Sequence, residues 1–437
     1  MINKLKKNFH YIEILKKGSI NFIFQIIGIG LGYLFIFMLA KYFNAEGVGL
    51  FSLTYSVLTI FLLFAKFGFD LAIVKFVSEY KDDFSKLKDL YIKTLFFLIP
   101  LNLLLISIMF FLSKYIAIYI FHNEEIIRYL KLFSLLLFPI TLRFINANFL
   151  RGLKSIAEYS FIQSISVYLF SVIVLFIIVQ FFNYNMLDLF VAYFLGVLIA
   201  FFISYWFLIK KINFFRISRD YFFNLKTLIK VAFSMLLANS LMLVITTSDS
   251  IILGYFTSSK NVGIYNIVIK IAVATSIFMT AIMSIVSSKL IELNKENKLS
   301  QTMQFVNTIV FSLSGIIIIF IFIFKEKILM LFGKEFIAGS VALSLLLFGR
   351  LIESMSGTGN YVLQILGYET IVRNIMFIAA FLNIVLNFIL IPIYGINGAA
   401  FASMISIVFW NLMYIFYIKQ KLGFWNLPNL LRLKSGK

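Results

Sequence analysis

Ionisable and amide side chains stand at wide intervals inside otherwise apolar runs of this 437-residue chain. Arg143 sits mid-way along one run, with Asn146 on the same helical face. Arg350 sits in another, with Glu353 three residues on, and Lys270 follows Asn266 by one turn. A charge at the centre of a membrane helix costs at least about 2.5–3.5 kcal/mol, so such groups normally face a bundle interior or a water-filled cavity. A guanidinium grips phosphate through two parallel hydrogen bonds, and a low dielectric strengthens the contact. Arg143, Arg350, Lys270 and Asn146 are therefore expected to line a cavity that takes an anion. The structural alternative is that Arg350 pairs with Glu353 and Arg143 binds backbone carbonyls.

A second set is acidic and neutral. Asn239, Thr246 and Asp249 lie on one stripe of a helix, and Asn383 and Asn387 lie one turn apart on another. Carboxylate, amide and hydroxyl oxygens suit a hard monovalent cation, so these five residues are a candidate site for a coupling Na⁺ or H⁺. Their alternative role is hydrogen bonding between helices. Lys66 and Asp70 have the i,i+4 spacing of an ion pair, and Lys75 and Glu79 repeat it. Asn21, Gln25, Gly28 and Gly32 share a face of the first helix, where four-residue glycine spacing suits close packing.

Other chemistries lack their residues. There is no cysteine, and His10 and His122 both lie outside the apolar runs, so no thiolate or imidazole metal site is expected. No phosphate-cradling glycine loop ends in Lys and Ser or Thr, and no GxSxG turn is present. The chain is read as a non-enzyme without a cofactor, the coupling cation aside.

These residues must be positioned by helices in lipid. The sequence is 62% hydrophobic and 13% charged, with 54 Phe and 4 Pro, and its mean hydropathy is +0.99; a soluble domain is about half apolar and a quarter charged. A span needs about 20 apolar residues. Twelve such stretches can be marked, at roughly 19–40, 48–78, 92–112, 131–150, 159–182, 187–209, 228–254, 262–288, 304–324, 341–366, 371–391 and 398–418. With that threading, 26 Lys and Arg fall on the side of the termini and 8 on the other, which places both termini in the cytoplasm of a multi-pass cell-membrane protein. The net charge of +20 is spread from loop to loop, which fits topology and anionic membrane lipids rather than nucleic acid.

The longest basic connection, about 210–228, divides the chain into residues 1–215 and 216–437. The fold class expected is an all-α integral membrane protein with twelve transmembrane helices in two parallel six-helix lobes, related by a pseudo-two-fold along the membrane normal. A repeat supports the division. Tyr42-Phe43 and Val48-Gly49 return as Tyr255-Phe256 and Val262-Gly263, with one added residue between the matches. Phe149-Leu150-Arg151-Gly152-Leu153 lies opposite Val362-Leu363-Gln364-Ile365-Leu366-Gly367 at nearly the same offset.

Several stretches resemble one family. Asp249-Ser-Ile-Ile-Leu-Gly-Tyr-Phe followed by Asn261-Val-Gly-Ile-Tyr-Asn is similar to the helix 7–8 junction of the O-antigen and capsule-type polysaccharide flippases. These belong to the multidrug/oligosaccharidyl-lipid/polysaccharide superfamily. Glu46-Gly-Val-Gly-Leu-Phe-Ser-Leu, Phe67-Gly-Phe-Asp70, Leu150-Arg-Gly-Leu153 and Leu390-Ile-Pro-Ile-Tyr-Gly-Ile-Asn-Gly-Ala-Ala resemble it too. The resemblance covers nearly the whole chain and implies a MATE-like, two-lobed bundle working by alternating access. The cargo implied is a polyprenyl-pyrophosphate-linked oligosaccharide, with Arg143, Arg350 and Lys270 as counter-charges to its pyrophosphate. Partners implied are membrane lipids, a polysaccharide polymerase and glycosyltransferases. A multidrug/cation antiporter and a non-transporting scaffold for glycan assembly are the competing readings. A cationic lining argues against the antiporter, and neutralising the arginines separates the scaffold.

Overall fold

A computed structural model of the chain describes residues 2–211 and 223–429, setting aside the side chains of residues 2–19, 237–239, 241, 242, 284, 285 and 288. The division expected at residues 215 and 216, with Arg216 and Arg219, falls outside the described residues, as do Arg432, Lys434 and Lys437. The described residues are all-helical. Eight helices are long and apolar enough to cross a membrane, or up to ten if each of two bent pairs is one span. Lipid offers the backbone no hydrogen bonds, so helices that satisfy themselves are the fitting solution. Phe111 (79% exposed) and Phe181 (76%) project from the helices as lipid-facing residues do.

The chain forms two compact units: residues 1–43 with 54–240, and residues 44–53 with 241–437. The first contains most of α1 (Ile2–Lys66), α2 (Phe69–Glu79), α3 (Phe84–Tyr115), α4 (Ile126–Ser134), α5 (Leu137–Gly152), α6 (Ile156–Ser160), α7 (Ser166–Phe181), α8 (Met186–Lys211) and the start of α9 (Leu225–Phe256). The apolar run Ile20–Glu79 is 60 residues long. At about 1.5 Å per residue it is near 90 Å, too long for one crossing of a core about 30 Å thick. It kinks at Asn44 (φ 58°, ψ −173°) and breaks at Phe67 and Gly68. Gly68 (φ +78°) is held where a Cβ would stand 2.1 Å from the Ala232 carbonyl, so backbone approach as well as dihedral demands glycine. Asn102 of α3 donates to the Ala65 carbonyl at 3.1 Å beside this break. Lys66 and Asp70 pair across it at 3.0 Å, the spacing the sequence suggested. A core of Phe69, Ile73, Leu87, Leu90, Phe149 and Leu228 packs α2, α3, α5 and α9 together.

The second unit holds the rest of α9 and α10 (Ser259–Ala274), α11 (Ile277–Val286), α12 (Leu290–Lys295), α13 (Leu299–Met330), α14 (Ser340–Ser356), α15 (Gly359–Ile365), α16 (Glu369–Tyr394) and α17 (Ile396–Leu422). Helices α4 and α5 of the first unit, and α10 and α11 of the second, are the bent pairs, each turning by 43°. Residues 44–53 come to the second unit from the first half of the sequence, and there the two copies of the repeated motif meet. A Cβ on Gly49 would lie 1.7 Å from the Ser259 carbonyl, and one on Gly263 would lie 1.8 Å from the Ala45 carbonyl. The two backbones touch reciprocally, which only glycine allows. The kink at Asn44 frees the Ala45 N–H, and Glu335 accepts it at 2.5 Å while pairing with Lys260 at 3.0 Å.

Candidate functional site

A buried polar cluster of the second unit surrounds Asp249. Helix α9 delivers the carboxylate near its C-terminal end, where it is 5% exposed. Tyr265 of α10 donates its phenol to Oδ2 at 2.8 Å, Asn387 of α16 donates to Oδ1 at 2.7 Å, and Ser403 of α17 donates to Oδ2. Asn383, one turn before Asn387, accepts from Asn387 at 3.1 Å and from Ser248 at 3.0 Å. Four helices thus converge on one buried acid. All its hydrogen-bond donors are neutral, and no described cation pairs with it. The amide oxygen of Asn387 is buried without a partner. Carboxylate and amide oxygens are the groups that hold a proton or a monovalent cation.

Residue type groups Asp249, Asn383 and Asn387 in one candidate set, and the structure joins these three by hydrogen bonds. Thr246 is exposed, and its hydroxyl turns back to the Leu243 carbonyl at 3.0 Å. The side chain of Asn239 lies outside the described residues. Tyr265 and Ser403 were not singled out from sequence, because a tyrosine or serine in a span is ordinary. The one available signal for Tyr265 was its place in the repeated motif. The wider candidate groups contain no set of three His, Cys, Asp or Glu side chains among the described residues that could hold a metal ion.

Arg350, on α14 of the same unit, pairs with Glu353 at 2.7 Å, and Glu353 also accepts from Ser276 at 2.9 Å. The Arg350 Nε is nevertheless buried without a partner. Lys270 is half-buried on α10.

The first unit holds Arg143 and Asn146 on α5. Arg143 is 6% exposed, donates to the Ile162 carbonyl at 2.6 Å, and lies 4.6 Å over the Phe144 ring. It makes no ion pair with a described residue, and its Nε is buried without a partner. Asn146, fully buried, accepts from the Tyr91 phenol at 2.8 Å and donates to Ser204 at 3.0 Å. Its amide therefore ties α3, α5 and α8 together.

Residues 14–287 match the model of a family described as polysaccharide biosynthesis protein. The chain belongs to that family. This family member also matches the MatE model over residues 234–389. It is 28% identical over 174 residues to the "Probable low-salt glycan biosynthesis flippase Agl15" of Haloferax volcanii, an alignment covering 39% of this chain and 37% of that relative. Its fold is similar to a MATE family multidrug resistance transporter of the MOP superfamily in an inward-facing conformation, at a TM-score of 0.71 and 13% identity, covering 92% of this chain and 98% of that one. It is equally similar to the lipid II flippase MurJ in an inward closed conformation, at a TM-score of 0.71 and 18% identity, covering 93% of this chain and 87% of that one. The family and fold resemblance read from short apolar motifs therefore holds, and the chain is a multi-pass membrane protein of a transporter fold.

Proposed function

We propose that this member of the polysaccharide biosynthesis protein family is a flippase. It would carry polyprenyl-pyrophosphate-linked oligosaccharide units from the cytoplasmic to the outer leaflet by alternating access. The observation that carries the reading is the buried arginine. Arg143 is buried among apolar helices with no acid among the described residues to neutralise it, and Arg350 keeps an unpartnered Nε beside its pair with Glu353. A desolvated cation without a counter-charge is costly, and a diphosphate cargo supplies what is missing. The glycan flippase relative in Haloferax volcanii and the lipid II flippase fold support the same class of cargo.

Asp249, with Asn383, Asn387 and Ser403, is the proposed site for a coupling Na⁺ or H⁺. Twelve spans with a boundary near residues 215 and 216, a cell-membrane location with cytoplasmic termini, and a polymerase and glycosyltransferases as partners complete the reading. The MatE match over residues 234–389 favours, as a second reading, export of a small molecule by cation exchange. A buried cation such as Arg143 is a poor host for cationic drugs, which ranks this second.

The test is accumulation of lipid-linked glycan in cells carrying Arg143→Ala with Arg350→Ala at wild-type protein levels. Build-up on the cytoplasmic side, with loss of surface glycan, is expected. Unchanged surface glycan would withdraw the arginines, and with them the flippase reading.

A further inference from the structure

Two apolar helical runs break at matching places of the repeat. Helix α1 gives way to α2 after Lys66, and α10 gives way to α11 after Ala274. In an unbroken helix the Ala65 carbonyl would take the Phe69 N–H, and the Thr275 carbonyl would take the Met279 N–H. The ladder instead resumes with Ala72 to Gly68 and with Thr280 to Ser276, each at 3.2 Å. A side chain from another helix takes each carbonyl. Asn102 of α3 donates to Ala65 at 3.1 Å, and Ser314 of α13 donates to Thr275 at 3.0 Å. The carbonyls stand 210 positions apart and their donors 212, beside 213 for Tyr42-Phe43 and Tyr255-Phe256. Each unit therefore carries, within itself, a break capped in the same way.

The break of the second unit is held by a second bond. Ser276 donates to Glu353 at 2.9 Å, and the same carboxylate takes Arg350 at 2.7 Å. Thr275 and Ser314 are buried, and lipid offers a freed carbonyl no water, so a neighbouring side chain must supply the hydrogen bond. No proline stands at this break. A proline kink is permanent, because the N–H and the space for the ladder bond are both gone. Met279 keeps its N–H, so the bond missing here can be recovered.

We propose that the α10–α11 break is a reversible hinge, in which the Thr275 carbonyl changes partner between the Ser314 hydroxyl of the bent form and the Met279 N–H of a straight form. Both forms satisfy the carbonyl, so neither bears the cost of a buried unpaired acceptor. A released serine hydroxyl can turn back on its own helix. Straightening also draws Ser276 from Glu353 and leaves that carboxylate to Arg350. The proposal rests on the alternating-access reading for the use of the bend, not for its geometry.

The experiment measures the distance between nitroxide labels on the full-length protein in nanodiscs. The chain has no cysteine of its own, so Ser258→Cys and Lys289→Cys, both at exposed positions of the second unit, take the labels alone. The 31 positions between them would span about 46 Å in a straight helix, and the 43° bend shortens that by about 3 Å. Ser314→Ala and Ser276→Ala each remove one bond of the bent form. Each should shift the population toward the longer distance by about tenfold, and the pair by about a hundredfold. A distance distribution unchanged in the double variant would overturn the hinge. Loss of folded protein would overturn it too, because the carbonyl would then have no second partner. Met279→Pro acts in the opposite direction: it removes the N–H that the straight form needs, in the first turn of α11 where proline is tolerated. It should show the shorter distance alone and abolish surface glycan at wild-type protein levels. Wild-type surface glycan in Met279→Pro would overturn the hinge and leave the flippase reading standing. If surface glycan does not depend on this chain at all, the flippase reading falls, and the label distances still decide the hinge.

Discussion

Gly263→Ala tests the contact between the two repeat copies. A Cβ there would stand 1.8 Å from the Ala45 carbonyl oxygen and 2.9 Å from the Gly49 nitrogen. Carbon and oxygen settle no closer than about 3.3 Å, so the segments must part by about 1.5 Å at their crossing. Both obstructing atoms belong to backbone, so no rotamer change relieves the overlap. Separation also pulls the Ala45 N–H away from Glu335, now at 2.5 Å, and strains the Glu335–Lys260 pair at 3.0 Å. Overpacking costs about 1–3 kcal/mol, and a lost hydrogen bond to a charged acceptor about 1.5–3 kcal/mol. The expected penalty is therefore roughly 2.5–6 kcal/mol. Thermal unfolding of purified protein in detergent reads it out. Gly30→Ala is the control, since a Cβ at Gly30 meets nothing within 4 Å and Ala favours the helix by about 0.5–1 kcal/mol. If Gly263→Ala melts with the control, the backbones do not touch and the argument fails.

Three further outcomes follow from other contacts. Asp70→Asn leaves the Lys66 ammonium, 20% exposed beside the Phe144 ring, without its 3.0 Å partner; the unfolding midpoint should fall by an amount equivalent to about 1–3 kcal/mol, and Lys66→Met in the same chain should recover part of it. Asn426, fully buried, accepts from Asn307 at 2.9 Å and donates to Thr358 at 3.2 Å, so Asn426→Ala should cost about 1–3 kcal/mol and expose the segment after Gly423 to limited proteolysis. Asp249→Asn removes the only acid of its cluster among the described residues. Transport measured in inside-out vesicles should lose its dependence on a Na⁺ or H⁺ gradient, and a retained dependence would exclude Asp249 from coupling.

Much of this was legible because lipid makes polar residues conspicuous. Asp249, Asn383 and Asn387 stood out as carboxylate and amide groups in apolar runs, and the structure joins them directly. The Lys66–Asp70 pair followed from helical spacing, and the Arg350–Glu353 pair is the structural alternative to a cavity-lining Arg350. Ser403 and Tyr265 were invisible for the opposite reason: a hydroxyl can bond its own helix, so its type predicts no distant partner. The apolar runs gave the helices but not their breaks. Where α1 gives way to α2, Asn102 supplies a hydrogen bond from thirty-seven positions away, and beyond α14 the Ser356 carbonyl accepts from Asn426. Local pattern contains no trace of such partners. Thr246 shows the limit of stripe reasoning, since three residues from Asp249 its side chain is already exposed.

The placement of residues 44–53 bears on how such a chain can be taken apart. They are translated early yet belong to the second compact unit. During synthesis this segment must wait for some two hundred later residues before Ser259 and Gly263 exist to receive it. A gene divided near its middle would leave the second polypeptide without a strip of its own interior, to be supplied in trans by the first. Co-expressed halves would then be obliged to assemble as a pair, and neither could be purified as a finished fold.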